Sequence, residues 1–189
     1  RSMDVKAKKL RREGYVTGNL FGREIEGSIP LKFTKKEIEV LLKNNNKGSQ
    51  VMLELDGKTY DALIKEVDYN PLAHTVEEVD FQALVSNEMV HSVAEIILEN
   101  EEMVVSGVLQ DELKEVAYKA LPADLVDKIK VDVAGMKIGD TLRVKDLEIA
   151  KNKNIHITTD LESVIATVTP VHNVVPEAET ATEDAAEEK

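Results

Sequence analysis

The sequence predicts a mainly β fold. Short alternations of apolar and polar residues recur along most of the 189 residues, and turn signals such as Asp56-Gly57 separate them. One helix signature is clear: residues 34–37 (Thr-Lys-Lys-Glu) form a capping box ahead of an apolar helical face at Ile38, Leu41 and Leu42. With about five or six short strands in its first half and one inserted helix, the chain favours a small β barrel or sandwich there.

The first thirteen residues are basic and carry few apolar anchors. Their cations are Arg1, Lys6, Lys8, Lys9, Arg11 and Arg12, which face only Asp4 and Glu13. Two interpretations stay open for this segment. It is either a solvated arm or frayed first strand, or an arm that orders on a phosphate backbone, where clustered cations release counterions.

A long β-hairpin is predicted at residues 60–84, where two strand-like runs flank a polar turn containing Pro71. In its second run Val79 and Phe81 alternate with Asp80 and Gln82, as a half-buried strand requires. The tip offers side chains that stack on bases or bind ribose hydroxyls, namely Tyr69, Asn70 and His74. Asp68, Asn70 and Pro71 are equally ordinary turn residues.

The second half restarts a β pattern without a long linker. Its apolar alternations include Val93 to Leu98, Val116 to Ala120, and Ile129 to Val133, whereas residues 111–115 fit either a strand or a helical turn. The last residues lack large apolar side chains and carry many carboxylates, which is typical of disorder. We therefore expect two domains and a disordered acidic tail, at residues 1–90, 91–173 and 174–189.

Charge divides the chain into two unequal halves. The net charge is −12, yet residues 1–90 hold 14 Lys/Arg and 15 Asp/Glu, whereas residues 91–189 hold 10 and 21. A basic head, a neutral first half and an acidic second half leave the N-terminal part as the half suited to a polyanion.

Several classes of function find no support in the sequence. There is no cysteine, so disulfides and thiolate metal sites are excluded, and a reducing compartment fits. The four histidines are too far apart for a local zinc pattern, and no nucleophile elbow or phosphate-cradling glycine loop is present. We expect a cytoplasmic protein that is no enzyme, binds no metal, cofactor or small-molecule substrate, and contacts no membrane.

Ordered motifs then point to a family. KKLRREG at residues 8–14 and NLFG at 19–22, followed by VDYNPLAHTVEEVDF at 67–81, resemble the opening and the hairpin signature of the bacterial 5S rRNA-binding large-subunit ribosomal protein numbered twenty-five. GVLQ at 107–110, ALPADL at 120–125 and KVDVAGMKIGDTLRVKDL at 130–147 are similar to the second domain of its long form, the general stress protein CTC type. The resemblance covers residues 8–168.

This resemblance implies a fold and a partner. The fold is an N-terminal closed six-stranded β-barrel with one or two inserted helices, followed by a second mainly β domain. The partner is 5S rRNA at the central protuberance of the large ribosomal subunit. Phe21 stands at the family's tyrosine position, and Glu78 stands where a histidine is common. The residues expected to bind RNA are Lys8, Lys9, Arg11, Arg12, Asn19, Phe21, Tyr69, Asn70, His74 and Asp80.

Two functional hypotheses from different classes follow. The first is a ribosomal protein that binds 5S rRNA through its N-terminal barrel and serves translation. The second is a stress-related protein-interaction module that keeps the fold and has weakened or lost RNA binding. An acidic or neutral hairpin face would favour the second hypothesis, since phosphates avoid carboxylates.

Overall fold

Strands dominate the regular structure. The structure, a computed structural model, describes residues 5–104 and 107–170, so the predicted tail at 174–189 lies outside the described residues. The helices are α1 (Ala7–Arg12) and α2 (Lys35–Asn44), with short 3-10 helices at Glu101–Met103, Pro122–Asp124, Val144–Asp146 and Glu148–Lys151. The strands are β1 (Tyr15–Phe21), β2 (Ser28–Thr34), β3 (Gln50–Leu55), β4 (Lys58–Asn70), β5 (Thr75–Ala83), β6 (Val90–Glu99), β7 (Val108–Asp111), β8 (Glu115–Ala120), β9 (Lys128–Asp132), β10 (Thr141–Arg143), β11 (His156–Ile157) and β12 (Val164–Thr169).

The first half of the chain forms one five-stranded sheet in the order β2-β1-β5-β4-β3. β1 pairs in parallel with β5, and the other three pairs are antiparallel. The mainly β prediction is confirmed. The closed six-stranded barrel is not: the sheet has five strands, and within the described residues no strand pairing joins its two edges, β2 and β3.

The segment before β1 differs from the first interpretation of the basic head, whereas its ordering on a phosphate backbone stays a prediction. Residues 7–12 form a short α-helix rather than a solvated arm or a first strand. Leu10 anchors it with 5% of its surface exposed, and α1 lies against β1. One buried leucine on a single helical face is enough to dock so short a helix, although it is too weak a pattern to predict one.

The predicted capping box and hairpin turn are confirmed. The Thr34 hydroxyl accepts the Glu37 backbone N–H at 3.3 Å, and a Glu37 carboxylate oxygen accepts the Thr34 N–H at 2.7 Å. The Thr34 N–H, and after it the Thr34 hydroxyl, which donates to the same carboxylate at 2.8 Å, hold the pKa of Glu37 below its ordinary value. Asp56-Gly57 turns β3 into β4, with both residues at positive φ as such a two-residue turn requires.

The hairpin β4–β5 carries the core of the first sheet. Ile64, Val79 and Phe81 are fully buried, whereas Asp80 and Gln82 lie on the opposite face, as the alternation predicts. The pairing register shifts between Asp68 and Tyr69: Asp68 opposes Glu78 and Tyr69 opposes Val76. Glu77 is therefore the extra residue of a β-bulge in β5.

The second half contains two sheets, in the orders β11-β8-β6-β9 and β10-β12-β7. Residues 112–114 connect β7 to β8 without a helical turn. Their shared core has Tyr118 at its centre, 1% exposed. The Tyr118 hydroxyl donates to the Val126 carbonyl at 2.6 Å and accepts the Val126 N–H at 2.8 Å, and burial raises the pKa of this phenol.

The two halves meet along the start of β3 and the start of β6. A Cβ on Gly48 would lie 1.9 Å from the Val93 carbonyl oxygen, so only glycine fits there, and its φ of +90° also favours glycine. Side chains cross the same boundary: Lys65 Nζ donates to the His91 carbonyl at 2.8 Å, and Ser49 Oγ donates to Asp127 Oδ2 at 3.2 Å.

None of the helices among the described residues is long and apolar enough to cross a membrane.

We predict that Tyr118→Phe lowers the free energy of unfolding by about 1–3 kcal/mol, because the Val126 N–H and C=O lose their partner while staying enclosed. Urea unfolding followed by circular dichroism measures this. Tyr60→Phe is the matched control, since no hydrogen bond of its hydroxyl is found in the described part of the chain. Equal midpoints for the two variants would contradict the prediction.

We predict that Gly48→Ala is far more destabilising than Gly57→Ala. Both glycines have positive φ, +90° and +79°, but only Gly48 faces a backbone atom, whereas nothing lies within 4 Å of a Cβ at Gly57. Gly57→Ala is the control, and backbone strain alone should lower its free energy of unfolding by about 1–2 kcal/mol. The midpoints of urea unfolding are compared between the two variants. We also expect proteolysis between the two halves of the chain to be faster in Gly48→Ala. Indistinguishable midpoints would show that the boundary is not rigid.

Candidate functional site

The candidate site lies on the face of the first sheet opposite its core. Val16 and Leu20 of β1 point into the core, so Thr17, Asn19 and Phe21 belong to the other face. Because β1 runs parallel to β5, with Thr17 opposite Glu78 and Leu20 opposite Phe81, Asn19 comes beside Asp80. The two predicted residues, far apart in the sequence, thus share one surface.

Asp80 is oriented by Asn19. Its Oδ1 accepts the Asn19 backbone N–H at 3.0 Å and the Asn19 side-chain amide at 3.1 Å. The same amide donates to Glu78 Oε1 at 3.4 Å. The second oxygen of Asp80 is left as an acceptor at a half-buried surface, which suits a donor from outside the protein.

Arg11 is held between two glutamates. Its Nη1 lies 3.5 Å from Glu77 Oε2 and 3.6 Å from Glu78 Oε2. In a regular strand Glu77 and Glu78 would point to opposite faces. The bulge at Glu77 turns both carboxylates toward the same guanidinium. Arg11 therefore has internal partners that a phosphate would have to displace.

Asn70 closes the network at the hairpin tip. Its Oδ1 accepts the backbone N–H groups of Leu72 and Ala73, both at 3.1 Å, and its Nδ2 donates to Glu77 Oε1 at 2.7 Å. These bonds engage the amide inside the turn. Asn70 thus positions the tip and Glu77 at once.

Four of the ten predicted residues consequently lie in one connected network. We call it the outer-face network, and its members are Asn70, Glu77, Arg11, Glu78, Asn19 and Asp80. Carboxylates dominate its surroundings. A cavity of about 200 Å³ beside it is lined by Glu66, Asp68, Glu78 and Asp80.

The other predicted residues surround this network. Lys8 and Arg12 are exposed on α1, and no ion pair of theirs within 4 Å is found among the described residues. Lys9 lies 3.9 Å from Glu13, both side chains being mostly open to solvent. Phe21 is half-buried at the end of β1. The predicted cations therefore lie on α1, at one side of an acidic centre.

Tyr69 and His74 form a separate pair at the tip. The Tyr69 hydroxyl lies 3.2 Å from His74 Nδ1, and Tyr69 is 49% exposed. A groove of about 300 Å³ runs between this pair and α2. An exposed ring beside an imidazole offers a stacking surface. Neither side chain touches the outer-face network through a hydrogen bond or ion pair in the part of the chain described.

Sequence reasoning missed the role of Glu77. A signal was nevertheless present. Val76 and Val79 both pack with the core but are three residues apart, so a period of two cannot place both on one face without an extra residue. That spacing marks the bulge. No group of three or more histidine or carboxylate side chains among the described residues could hold a metal ion.

Comparisons with known proteins agree with this architecture. The model of the family described as Ribosomal L25p family matches residues 1–81. The model described as Ribosomal protein TL5, C-terminal domain, matches residues 89–172. Two independent matches in this order cover nearly the whole chain, and they meet near the start of β6.

Similar proteins match across both halves. The large ribosomal subunit protein bL25 of Carboxydothermus hydrogenoformans is 33% identical over 181 residues, which is 95% of this chain and 89% of that protein. The protein of the same name from Caldicellulosiruptor saccharolyticus is 32% identical over 91% of this chain and 84% of its own length. That of Akkermansia muciniphila is 30% identical over 96% and 90%. The chain belongs to the bL25 family of large ribosomal subunit proteins.

Proposed function

We propose that this chain is a component of the large ribosomal subunit in the cytoplasm and binds 5S rRNA through an N-terminal domain at residues 1–90. Its role there is structural and serves translation rather than catalysis. Family membership supports the ribosomal assignment, since the similar proteins are named for the large subunit. We further propose a second domain at residues 91–173, followed by the tail at residues 174–189.

The outer-face network carries the proposal for the site. Asp80 is held at 3.0 Å and 3.1 Å by Asn19, so its remaining oxygen has a fixed direction. A fixed carboxylate accepts hydrogen bonds from exocyclic amino groups of bases or from ribose 2′-hydroxyls, and it repels phosphates. The centre of the face thus fits base and ribose edges rather than backbone.

Cations around this centre would contact the backbone. Lys8, Lys9 and Arg12 are exposed on α1, at one side of the acidic face. The minor groove of an RNA helix is wide and shallow and displays 2′-hydroxyls between two rows of phosphates. A sheet face with acceptors in the middle and the cations of α1 along one side would place those cations on one of the two phosphate rows. Tyr69 and His74 lie on the other side of the hairpin, toward α2, and would stack on an unstacked base that reaches that side.

The second candidate function, a stress-related protein-interaction module, has one observation in its support, whereas the similar proteins favour the ribosomal role. The carboxylates of Glu66, Asp68, Glu78 and Asp80 line one cavity, and Arg11 beside them is already paired. Such an acidic surface fits a basic protein segment. Binding of 5S rRNA no tighter than of unrelated RNA would favour this candidate.

We predict that Arg12→Ala reduces the salt dependence of 5S rRNA binding by about one unit in the slope of log K against log salt, because one exposed phosphate contact is lost. Arg11→Ala should reduce it less, since Arg11 is paired internally. Gel shifts over a series of salt concentrations give the slopes. Lys58→Ala, at the start of β4, is the charge-matched control. Identical slopes for Arg12→Ala and the control would contradict the role of α1.

We predict that Asp80→Asn weakens 5S rRNA binding by about tenfold, corresponding to about 1–3 kcal/mol for a lost charged acceptor at a base or ribose edge. The substitution preserves the size of the side chain, so the thermal midpoint should change little. Asp68→Asn on the same face is the control. It removes the same charge, but no hydrogen bond to its carboxylate is found in the described part of the chain. Equal affinities of the two variants would argue that only the overall charge matters.

A further inference from the structure

A cluster of cationic groups lies at the boundary between the two halves, away from the outer-face network. A cavity of about 260 Å³ opens there, and its charged lining residues are Lys47, Lys65, Glu66 and His91. Lys65 is half-buried, and its Nζ donates to the His91 carbonyl at 2.8 Å. The Lys65 ammonium, on β4, is thereby fixed beside the start of β6.

Three further groups extend this cluster across the second half. In the antiparallel pairing of β6 with β8, His91 is directly opposite Lys119. In the pairing of β8 with β11, Lys119 is directly opposite His156. Directly opposite residues share one face of a sheet. His91, Lys119 and His156 therefore form a row across three adjacent strands, on the face opposite buried Ser92 and Tyr118.

This row is poorly neutralised within the protein. No ion pair within 4 Å involves Lys65, Lys119 or either histidine among the described residues. The nearby carboxylates are Glu66, in the cavity lining, Glu115, whose Oε2 is 4.0 Å from Lys47 Nζ, and Glu95, which lines a second cavity with Lys47 and Glu115. Like charges directly opposite each other destabilise a sheet. Such an arrangement in the acidic half of the chain calls for an external anion.

The titration of these groups is consistent with mutual repulsion. Desolvation, then the charges of Lys119 and Lys65, lowers the pKa of His91 below its ordinary value. Desolvation and the charge of Lys47 likewise lower the pKa of Lys65. A bound anion would reverse the electrostatic part of both shifts, because it stabilises the protonated forms.

We propose that Lys47, Lys65, His91, Lys119 and His156 form a second phosphate-binding surface, which contacts the sugar-phosphate backbone of RNA at the boundary between the two halves. We call it the boundary surface. RNA as the occupant rests on the proposed function above. The groups offered are N–H donors, without a large exposed apolar side chain among them, which suits a phosphate row better than a protein partner.

The dimensions agree with a backbone contact. Neighbouring strands lie about 5 Å apart, so a row across β6, β8 and β11 extends roughly 10 Å, enough for more than one phosphate along a strand. Lys65 and Lys47 continue it toward the first sheet. An RNA that contacts both this surface and the outer-face network would hold the two halves in their relative position.

The boundary surface should make RNA binding stronger at lower pH. His91 gains charge as the pH falls toward its lowered pKa, and a bound phosphate raises that pKa by favouring the charged imidazolium. The fixed positive charges near His91 are Lys47, Lys65 and Lys119, and the negative charges are Glu66, Glu95 and Glu115. The phosphate adds the missing negative charge.

The test compares two double variants. The boundary variant combines Lys65→Gln and Lys119→Gln, and the control variant combines Lys58→Gln and Lys137→Gln. Both double variants lower the net charge by two. Affinities are measured over a salt series for 5S rRNA and for a mixed-sequence RNA duplex. We expect the boundary variant to lose about two units of salt slope with both RNAs, and the control to lose less than half a unit. Equal slopes for the two double variants overturn the boundary surface.

The two RNAs separate this inference from the proposed function. If the unmodified chain does not prefer 5S rRNA to the duplex, the 5S proposal fails, yet a slope that still falls by about two supports the boundary surface. If the unmodified chain binds neither RNA at low salt, both fail. If 5S rRNA is preferred and the slope is unchanged, only the boundary surface is overturned.

A second measurement needs no lysine substitution and serves if the boundary variant does not fold. Histidine ring signals of the full chain are followed by NMR against pH with and without the RNA duplex, with His91→Gln and His156→Gln assigning the peaks. We expect the pKa of His91 to rise on RNA addition, and the ring signals of His156 to shift at constant pH. An unchanged pKa of His91 together with unshifted His156 signals in the presence of bound RNA overturns the proposal.

Discussion

The parallel pairing of β1 with β5 is the constraint on which the candidate site depends. At Gly18 a Cβ would lie 2.0 Å from the Val79 carbonyl oxygen, so the two backbones approach as closely as they do only because glycine is there. This approach places Asn19 at Asp80 and α1 at the hairpin. A different register would separate Arg11 from both glutamates and leave the face without its network.

The bulge at Glu77 gives this face its electrostatic character. Two successive glutamates reach one arginine, so the most central cation of the site is compensated before any ligand arrives. Partly exposed ion pairs of this kind are weak, so Arg11 can exchange partners at small cost. The exposed cations of α1 would then make the phosphate contacts. The carboxylates at the centre would accept hydrogen bonds from base and ribose donors. Acceptors occupy the centre of this face, and the cations of α1 lie at one side of it.

The boundary between the two halves links this face to the acidic second half. Gly48 approaches Val93, and the side chains of Ser49 and Lys65 bond across the same boundary. These contacts involve backbone atoms and polar or charged side chains. Cations concentrate at this boundary, although the second half as a whole is acidic. A polyanion bound here would contact both halves.

The sequence by itself determined the local features and the mainly β class. Alternation, the Thr34 capping box and the Asp56-Gly57 turn act between near neighbours, so they could be read directly, and ordered motifs identified the family. Tertiary structure alone decided the rest. The helix at α1 depends on one leucine meeting β1, and the five-stranded open order depends on which edges find partners. The coupling of Arg11 to Glu77 and Glu78 joins segments more than sixty residues apart. Such contacts follow from register and a bulge, which no local pattern of charge specifies.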